Sequence, residues 1–372
     1  MPELFEAARL GALEVKNRFV RSATWEGIAE ADGRCTPPLA GMMGELAANE
    51  VGLVITSHAY VSTEGQAGPW QLGIYNDEMI EGLSVMAKRV HDAGGKTVVQ
   101  LAHAGCQARS ILTGETPIGP SPAQNADDET CREMTHDDID RVVEAFGQAA
   151  RRAKEAGFDG VQIHTAHGFL LSQFLSPAFN QRKDEYGGGP SNRARIVCET
   201  IDAVREYAGP DFPVLIKINA ADFLNSHGLT EEDSLEICRI LGEKGLDGVE
   251  LSGGTRQSGK FIPSRTTQAA SPEAEPYYRD TARKFKQMLD LPLILVGGIR
   301  SFEVAQLLVE EGTADFIALA RPLVREPNLV KRWKEGDTTP SQCLSDNLCF
   351  KPIFGGKGLS CHWITKAASR HA

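Results

Sequence analysis

Eight short apolar runs, separated mostly by helical patterns of roughly 10 to 20 residues, constrain the fold of this chain more than any other feature. Runs of this kind are typical of strands in a parallel sheet whose faces are covered by helices. They are NRFVRSA near 17–23, GLVITS at 52–57, KTVVQL at 96–101, GVQIH at 160–164, VLIKIN at 214–219, GVELS at 248–252, LILVGG at 293–298 and FIALAR at 316–321. Eight such units predict an α/β fold, a (β/α)8 TIM barrel.

The predicted strands end in polar residues or glycine, and in a closed barrel these ends meet at one mouth. These residues are Ser22, Thr24, Ser57, His58, Gln100, His164, Lys217, Asn219, Ser252, Gly297, Gly298 and Arg321. No linker divides the chain, so we predict a single barrel domain over 1–340 and a C-terminal tail over 341–372. The long loops at 102–122 and 253–276 are expected to act as lids.

Capping residues predict where several helices begin. Thr135 precedes acidic residues in THDD and Thr230 precedes acidic residues in TEED, as expected of threonine N-caps. Ser301 is predicted to cap the helix FEVAQLLVEEG in the same way.

The composition excludes several classes of partner. The 372 residues carry a formal net charge of −11, whereas binding to nucleic acid or an anionic membrane requires clustered Lys and Arg. The N-terminus lacks a secretory signal pattern, and no window approaches the roughly 18 apolar residues of a transmembrane helix. We therefore predict a cytoplasmic protein with small-molecule partners.

The distribution of the cysteines also favours the cytoplasm. Five of the eight cysteines stand alone in the sequence, at Cys35, Cys106, Cys131, Cys198 and Cys238. Scattered cysteines in a long chain are typical of reduced thiols, so we predict no disulfide framework.

Two histidines, His164 and His167, stand at the end of the fourth predicted strand. A metal pair would need a third ligand, and no carboxylate has plausible spacing, so we predict no metal. Two imidazoles that donate to one oxygen would polarise a carbonyl or nitro group in the manner of an oxyanion hole. A purely structural role for both is the alternative.

Three further features indicate an anionic, heterocyclic ligand. Gly297, Gly298 and Arg321 follow the last two strands, where such barrels commonly bind phosphate; a tight turn and a surface ion pair are the alternative. Lys217 is costly to bury without a negative partner, either a neighbouring carboxylate or an anion formed in the mouth. The amide of Gln100 offers a donor and an acceptor to the edge of a heterocycle.

The chain resembles the old yellow enzyme family of FMN-dependent ene-reductases, from LFEAARLGALEVKNRFVRSA to RPLVREPNLVKRW. The strongest match is HTAHGFLLSQFLSPAFNQRKDEYGG after the fourth strand. The segments VVQLAHAG, LIKINA, VGGIR and LARPL match in order at the third, fifth, seventh and eighth strands. The resemblance implies a flavin-binding barrel with FMN as cofactor.

The resemblance also implies roles for individual residues. Gln100 would bind the pyrimidine edge of the flavin, and Lys217 would lie near its N1 and C2 oxygen. The implied cofactor contacts are Ala23, Thr24, His58, Gln100, Lys217, Gly297, Gly298, Ala320 and Arg321. The implied catalytic residues are His164, His167 and Lys217, and the two histidines would bind the electron-withdrawing oxygen of the substrate.

The implied reaction is ping-pong: NADH or NADPH reduces FMN, and a C=C bond conjugated to a carbonyl or nitro group then takes hydride from flavin N5. One alternative is a flavin-dependent dehydrogenase, demethylase or desaturase of an amine or carbonyl compound. Another is a flavin-binding protein without catalytic function. Family habit predicts a homo-oligomer, a dimer or a tetramer.

The chain departs from the family pattern around the substrate. Phe169 stands where the family usually has the tyrosine that protonates the substrate, and a phenyl ring cannot donate a proton. Either another group such as Tyr60 or water protonates the product, or the substrate forms a stable anion, or reduction is slow. Trp25 stands where relatives often carry cysteine or a small hydrogen-bonding residue. We therefore expect Trp25, Tyr60 and Phe169 to line the substrate site with the two histidines.

A third departure concerns the tail. Larger family members carry an iron–sulfur cluster on four cysteines there, whereas this chain has Cys343, Cys349 and Cys361, with Asp346 where another cysteine is expected. Three cysteines and an aspartate can ligate a cluster less securely. We predict a tail without a cluster.

Overall fold

Eight parallel strands close into a barrel in this computed structural model, which describes residues 3–125, 128–224, 227–266 and 274–368. The strands pair in chain order, and β8 pairs with β1. They are β1 (Phe19–Arg21), β2 (Leu53–Tyr60), β3 (Lys96–Ala102), β4 (Val161–Thr165), β5 (Val214–Asn219), β6 (Gly248–Ser252), β7 (Leu293–Val296) and β8 (Phe316–Leu319). The predicted (β/α)8 barrel is confirmed, with each strand inside or overlapping its predicted run.

Helices alternate with the strands and cover the barrel. The longer ones are Pro37–Ala48, Ile80–Asp92, His136–Glu155, Pro190–Ala208, Glu231–Gly242, Arg279–Met288 and Phe302–Glu310. Shorter helices cover Ser110–Thr113, Leu170–Leu175, Arg321–Arg325, Leu329–Lys334 and His362–Ala368. None of the helices in the described ranges has the length and apolar character needed to span a bilayer.

Two of the three predicted N-caps form as expected. The side chain of Thr135 accepts a hydrogen bond from the N–H of Asp138, whose carboxylate accepts in return from the N–H of Thr135. Thr230 accepts from the N–H of Asp233. Ser301 stands at the N-cap position, but its hydroxyl makes no capping bond and donates to Glu275 instead. The prediction for Ser301 is therefore wrong in mechanism.

Glu275 takes over the capping role at that helix. Its Oε2 accepts hydrogen bonds from the N–H groups of Arg300 and Ser301, at 3.0 Å and 2.9 Å. A carboxylate is stabilised near a helix N-terminus, so this acid from the loop after β6 replaces a local cap that the sequence pattern could not reveal.

The hydrophobic core fills one end of the barrel and leaves the other open. A short hairpin of Ala8–Leu10 and Leu13–Val15 contributes Leu10, Leu13 and Val15 to a buried apolar cluster inside the barrel. Since these side chains plug the end at which the strands begin, the polar groups gather where the strands finish.

The loop after β3 contains a disulfide bond. Cys106 and Cys131 are joined, with their Cα atoms 5.2 Å apart, next to a small sheet formed by Ile118–Gly119, Ala123–Gln124 and Thr130–Glu133. The prediction that these two cysteines are separate reduced thiols is therefore wrong. The pairing depends on a loop conformation that brings together residues 25 positions apart in sequence.

The tail folds back against the mouth of the barrel. Residues Leu348–Gly355 form a 3-10 helix whose Cys349 and Ile353 join Leu359 in a small hydrophobic cluster that also contacts Trp25. The division into a barrel over 1–340 and a tail over 341–372 stays a prediction, and residues 369–372 lie outside the described ranges, as do 267–273 of the predicted lid at 253–276.

Candidate functional site

A cavity at the mouth of the barrel gathers residues from the ends of all eight strands. Its lining includes many of the predicted site residues, namely Ala23, Thr24, Trp25, His58, Gln100, His164, His167, Phe169, Lys217, Gly297, Gly298, Ala320 and Arg321. Tyr277 and Phe350 also line this cavity, from the loop after β6 and from the tail. The structure therefore brings these residues together, as expected of strand ends in a closed barrel.

Lys217 lies in a buried polar network at the base of this cavity. Its Nζ donates to the hydroxyl of Ser22 at 2.7 Å and to Oε1 of Glu250 at 3.0 Å. The hydroxyl of Ser22 donates to the same carboxylate oxygen at 2.6 Å. An ammonium group has three N–H donors, so one remains to face the cavity.

Two glutamines extend the network and fix the orientation of Gln100. The side-chain N–H of Gln162 donates to Oε2 of Glu250 at 2.8 Å, and Gln100 donates to the amide oxygen of Gln162 at 2.7 Å. Because Glu250 is charged and accepts, the direction of both amide bonds follows from it. Gln100 therefore presents its carbonyl oxygen and its second N–H to a ligand.

Sequence reasoning did not single out Gln162 and Glu250. Both are fully buried, at 0% exposure, inside the apolar runs GVQIH and GVELS. The signal was present, since a charged or amide side chain in a buried strand is costly unless it is paired. The same argument that singled out Lys217 applied to both residues.

The histidine pair forms a rigid unit. The rings of His164 and His167 are 5.3 Å apart and edge to face. His167 has a φ of 65°, a conformation that costs a non-glycine residue about 1 kcal/mol or more. Its N–H donates to Oδ1 of Asn219 at 3.1 Å, and its Nε2 lies 2.8 Å from the hydroxyl of Ser252. A ligand oxygen must therefore use Nδ1 of His167 or displace that hydroxyl.

His58 presents a defined tautomer. The amide oxygen of Gln71 accepts from the N–H groups of Ala67 and Gly68, so the amide nitrogen of Gln71 is the donor to Nδ1 of His58, at 2.8 Å. A neutral imidazole whose Nδ1 accepts carries its proton on Nε2. His58 thus offers an Nε2–H donor beside Phe169, with the two ring centres 5.1 Å apart.

Burial keeps all three imidazoles neutral near pH 7. Desolvation lowers the pKa of His58 to about 4. Desolvation, reinforced by neighbouring imidazoles and by Lys217, holds the pKa values of His164 and His167 well below their usual range. Neutral imidazoles can still donate hydrogen bonds, so the site polarises an oxygen through N–H groups without charged histidines.

The turns after β7 and β8 form one end of the cavity, the glycine cradle, which consists of Gly297, Gly298, Ala320 and Arg321. Gly298 has a φ of 83°, and a Cβ atom there would lie 1.7 Å from the carbonyl oxygen of Glu275, so only glycine fits this turn against the loop that carries Glu275. The guanidinium of Arg321 lies against the same cavity and donates through Nη1 to the carbonyl oxygen of Arg265 and to Asn347, both at 2.8 Å. These contacts hold Arg321 at the cradle.

Tyr60 lies away from the site. Its hydroxyl donates to the carbonyl oxygen of Asp32 at 2.8 Å, its ring stacks on Tyr75, and neither described cavity at the barrel mouth includes it. Tyr60 therefore does not line these cavities, since the loop before the first helix holds its hydroxyl. Its contact with the substrate stays a prediction.

Phe169 and Trp25 separate the inner cavity from an outer one of about 830 Å³ and line both. The centre of the Phe169 ring is 4.6 Å from that of His164. The indole Nε1 of Trp25 and Nδ1 of His164 are buried and have no hydrogen-bond partner among the described residues. Two buried orphan nitrogens beside one cavity indicate that a bound group satisfies them.

The tail cysteines line a separate small cavity with Asp346. Asp346 accepts hydrogen bonds from the indole of Trp363 at 2.7 Å and from the N–H of Leu348 at 3.0 Å. In the described part of the chain, three or more potential metal ligands lie within 4.8 Å of one another only at His136, Asp184 and Glu185 on the surface. Absence of a cluster from the tail stays a prediction.

The cavity can therefore hold a flat heterocycle whose edge pairs with Gln100 and Lys217, together with an anionic group at Gly298 and Arg321. The glycine cradle, the directed amide and the orphan nitrogens all fit such a ligand. An oxygen-bearing second ligand would find N–H donors at the histidines.

Comparisons with known proteins point the same way. Residues 3–339 match the sequence profile of the NADH:flavin oxidoreductase / NADH oxidase family. The chain is 34% identical to an NADH oxidase of Thermoanaerobacter brockii across 93% of its own length, although it spans only 53% of that relative. It is 36% identical to an NADPH dehydrogenase of a Geobacillus species across 87% of its length and 91% of the relative. The structure of an old yellow enzyme homologue from Zymomonas mobilis superposes with a TM-score of 0.76 at 27% identity, covering 92% of this chain and 96% of that one.

Proposed function

Because the chain belongs to the NADH:flavin oxidoreductase / NADH oxidase family, which includes the old yellow enzymes, we propose that it reduces C=C bonds conjugated to a carbonyl or nitro group with electrons from NADH or NADPH. The chain spans about half the length of the NADH oxidase that it matches, so this activity is a proposal for the chain itself. The observation that carries it is the combination of the Lys217 network with the His164–His167 pair at one cavity.

FMN is the cofactor of this site. Gln100 and Lys217 would hold its ring system, and Gly298 and Arg321 would hold its phosphate. When bound, FMN accepts hydride from NADH or NADPH and supplies it to the alkene. The remaining contacts that we propose come from Ala23, Thr24, His58, Gly297 and Ala320.

Lys217 would provide a fixed positive charge at the edge of the ring system. Glu250 and Ser22 hold its Nζ in place and leave one N–H for the cofactor. A positive charge that is already in position stabilises negative charge on the flavin without reorganisation of the site. Lys217 would therefore favour two-electron reduction of the flavin.

The two histidines would bind the activating oxygen of the substrate. Because both rings are neutral, they would bind this oxygen through N–H groups and not through a positive charge. The contacts of His167 with Asn219 and Ser252 fix the orientation of its ring. A hydrogen bond to the oxygen withdraws electron density from the β-carbon, which is the atom that receives hydride.

The proton for the α-carbon would come from solvent. Phe169 has no ionisable group, and the hydroxyl of Tyr60 is bound to Asp32. The outer cavity beside Phe169 is large enough to admit water next to the substrate. We propose that water is the proton donor and that protonation is slower than in relatives with tyrosine.

Because Phe169 replaces the tyrosine of the family, a second function is the dehydrogenation of an amine or the desaturation of a carbonyl compound. These reactions do not deliver a proton to the α-carbon, so Phe169 would not hinder them. The cytoplasmic location and a homo-oligomeric state also belong to the proposal, on the grounds of the sequence pattern and of family habit.

An anaerobic experiment tests the proposal. The FMN-bound protein is reduced with a slight deficit of NADH or NADPH, 2-cyclohexenone is added, and return of the oxidised flavin absorption is followed. Return of the absorption supports the ene-reductase. Reduction without reoxidation by the enone would favour the dehydrogenase. Failure of both nucleotides to reduce the flavin would contradict the ene-reductase, and a protein that binds no flavin would contradict the FMN assignment on which both functions depend.

A further inference from the structure

The outer cavity has an unusual balance of charge. Its walls are largely aromatic or apolar, with Trp25, Trp70, Phe169, Ile262 and Phe354 among them. Two arginines, Arg109 and Arg256, also line it, whereas none of its described lining residues is aspartate or glutamate. The whole chain has 50 acidic and 39 basic side chains, so a cavity with two arginines and no acid runs against the average of this protein.

Both arginines stand on loops that are fastened to the histidine pair. The amide of Gln107, two residues before Arg109, donates to the carbonyl oxygens of His167 and Gly168 at 3.3 Å and 2.6 Å. Thr255, immediately before Arg256, forms an isolated bridge with His167. The backbone positions of both arginines are thus fixed relative to the proposed oxygen-binding site.

The loop that carries Arg256 is internally braced. The hydroxyl of Ser258 accepts from the N–H of Thr255 at 2.7 Å, and the N–H of Gln257 donates to the hydroxyl of Thr255 at 3.2 Å. The side chain of Arg256 itself is exposed and forms no hydrogen bond or ion pair with any other described residue. Its charge is therefore available to a ligand in the cavity.

Arg109 is half-buried at the same cavity. The nearby carboxylate of Glu129 accepts hydrogen bonds from the hydroxyl and the N–H of Ser110, at 2.6 Å and 3.1 Å, and lies outside the cavity lining. Because Glu129 also interacts electrostatically with Arg109, the cationic character of the cavity rests mainly on Arg256.

We propose that the outer cavity binds an anionic group, a carboxylate or a phosphate, on the compound whose reacting end lies at the histidine pair. This inference rests on the proposed function and names the class of its substrate: an activated alkene with an apolar or aromatic body and an anionic end. Guanidinium groups bind carboxylate and phosphate through paired hydrogen bonds, and the aromatic walls offer contact area to the apolar body of the compound.

A matched pair of substrates tests the proposal. The FMN-bound enzyme is assayed for kcat/KM with 4-(3-oxobut-1-enyl)benzoate and with its methyl ester, which have the same reacting enone but differ in charge. For Arg256→Gln, and again for Arg109→Gln, we expect the acid-to-ester ratio of kcat/KM to fall about tenfold, mainly through KM. Raising the salt concentration should lower the same ratio in the wild-type enzyme.

Lys260→Gln is the matched control, because it removes a positive charge from the same loop at a residue that does not line the outer cavity. The ratio should not change in this variant. An unchanged ratio in the Arg109→Gln/Arg256→Gln double variant would overturn the proposal, as would an equal fall in the control.

A binding measurement separates this inference from the ene-reductase proposal. The Kd values of 4-hydroxybenzoate and its methyl ester, measured from the absorption of the oxidised flavin, need no turnover. If neither enone is reduced but the arginine variants still lose their preference for the acid, the anion site stands and the proposed reaction fails.

A dinucleotide could supply the anion instead of the substrate. If the arginine variants slow flavin reduction by NADPH more than by NADH, and leave the acid-to-ester ratio unchanged, the anionic substrate is overturned and the anion bound in this cavity is the additional phosphate of NADPH. If the variants reduce their flavin equally fast with NADPH and NADH, relative to wild type, and the acid-to-ester ratio is unchanged, the cavity binds neither anion and the inference is refuted.

Discussion

The Nζ atom of Lys217 lies 3.0 Å from Oε1 of Glu250, and the two side chains are 3% and 0% exposed. The strand register produces this contact, since Lys217 on β5 is paired with Glu250 on β6 on one side and with His164 on β4 on the other. One cross-strand relationship thus connects the proposed cofactor charge to the proposed substrate site.

Removing the negative partner should destabilise the fold. In Glu250→Gln, Lys217 would be buried without a compensating charge, and breaking a buried pair in this way costs about 3–5 kcal/mol. We expect a fall of that order in the free energy of unfolding in urea, together with weaker FMN binding. Glu243→Gln is the control, because Glu243 pairs with Arg239 on the surface with 68% of its side chain exposed. Equal stability of the two variants would contradict the buried-pair argument.

Restoring a phenol at the substrate site should speed protonation. Phe169→Tyr would place a hydroxyl beside His164 and His58, and a positioned general acid accelerates proton transfer by about 10²-fold or more. We expect faster reoxidation of reduced enzyme by 2-cyclohexenone in stopped-flow absorbance. Phe354→Tyr, which adds a hydroxyl elsewhere in the outer cavity, should not change this rate. No acceleration in Phe169→Tyr would show that protonation does not limit the reaction.

The buried histidines should make the protein less stable in mild acid. Burial lowers the pKa of His103 to about 3 and that of His58 to about 4, whereas the same groups in the unfolded chain bind a proton near pH 6.5. Between these values the unfolded state binds more protons than the folded state, so stability falls as the pH is lowered below about 6.5, by about 1.4 kcal/mol per pH unit for each such histidine.

Urea unfolding at pH 7, 6 and 5 measures this effect. In His103→Gln the dependence of stability on pH should be weaker by about one proton, because one buried imidazole no longer titrates on unfolding. If His103→Gln keeps the wild-type slope, burial of His103 does not contribute to acid sensitivity.

The disulfide should be detectable and stabilising. Denatured protein without reductant should contain six free thiols, from the six unpaired cysteines, and reductant should raise this number by two. Cys106→Ser/Cys131→Ser should lower the free energy of unfolding by about 3 kcal/mol, as expected for a cross-link that closes a loop of this size. Cys35→Ser/Cys198→Ser removes two unpaired cysteines and should cost less. Eight free thiols before reduction would show that the bond does not form.

Much of the fold could be predicted from local sequence patterns. The eight runs gave all eight barrel strands, and Thr135 and Thr230 marked helix starts, because strand periodicity and N-capping depend on residues within a few positions of one another. The predicted polar strand ends converge as expected, since closure of a parallel barrel places them at one mouth.

Other features needed the tertiary structure. The bond from Ser301 to Glu275, the Cys106–Cys131 disulfide and the position of Tyr60 away from the two mouth cavities each depend on loops whose conformations have no short-range signature. The placement of Arg109 and Arg256 at one cavity likewise joins the loops after β3 and β6.

The sequence by itself determined the barrel, the family and the group of residues that gather at the mouth, because these follow from periodicity and from motifs that are continuous in the chain. Only the tertiary structure decided which buried polar groups pair, as with Gln100, Gln162 and Glu250, and which tautomer His58 presents. Those outcomes depend on strand register and on contacts between loops, where a hydrogen bond requires atoms within about 3 Å of each other whatever their separation in sequence.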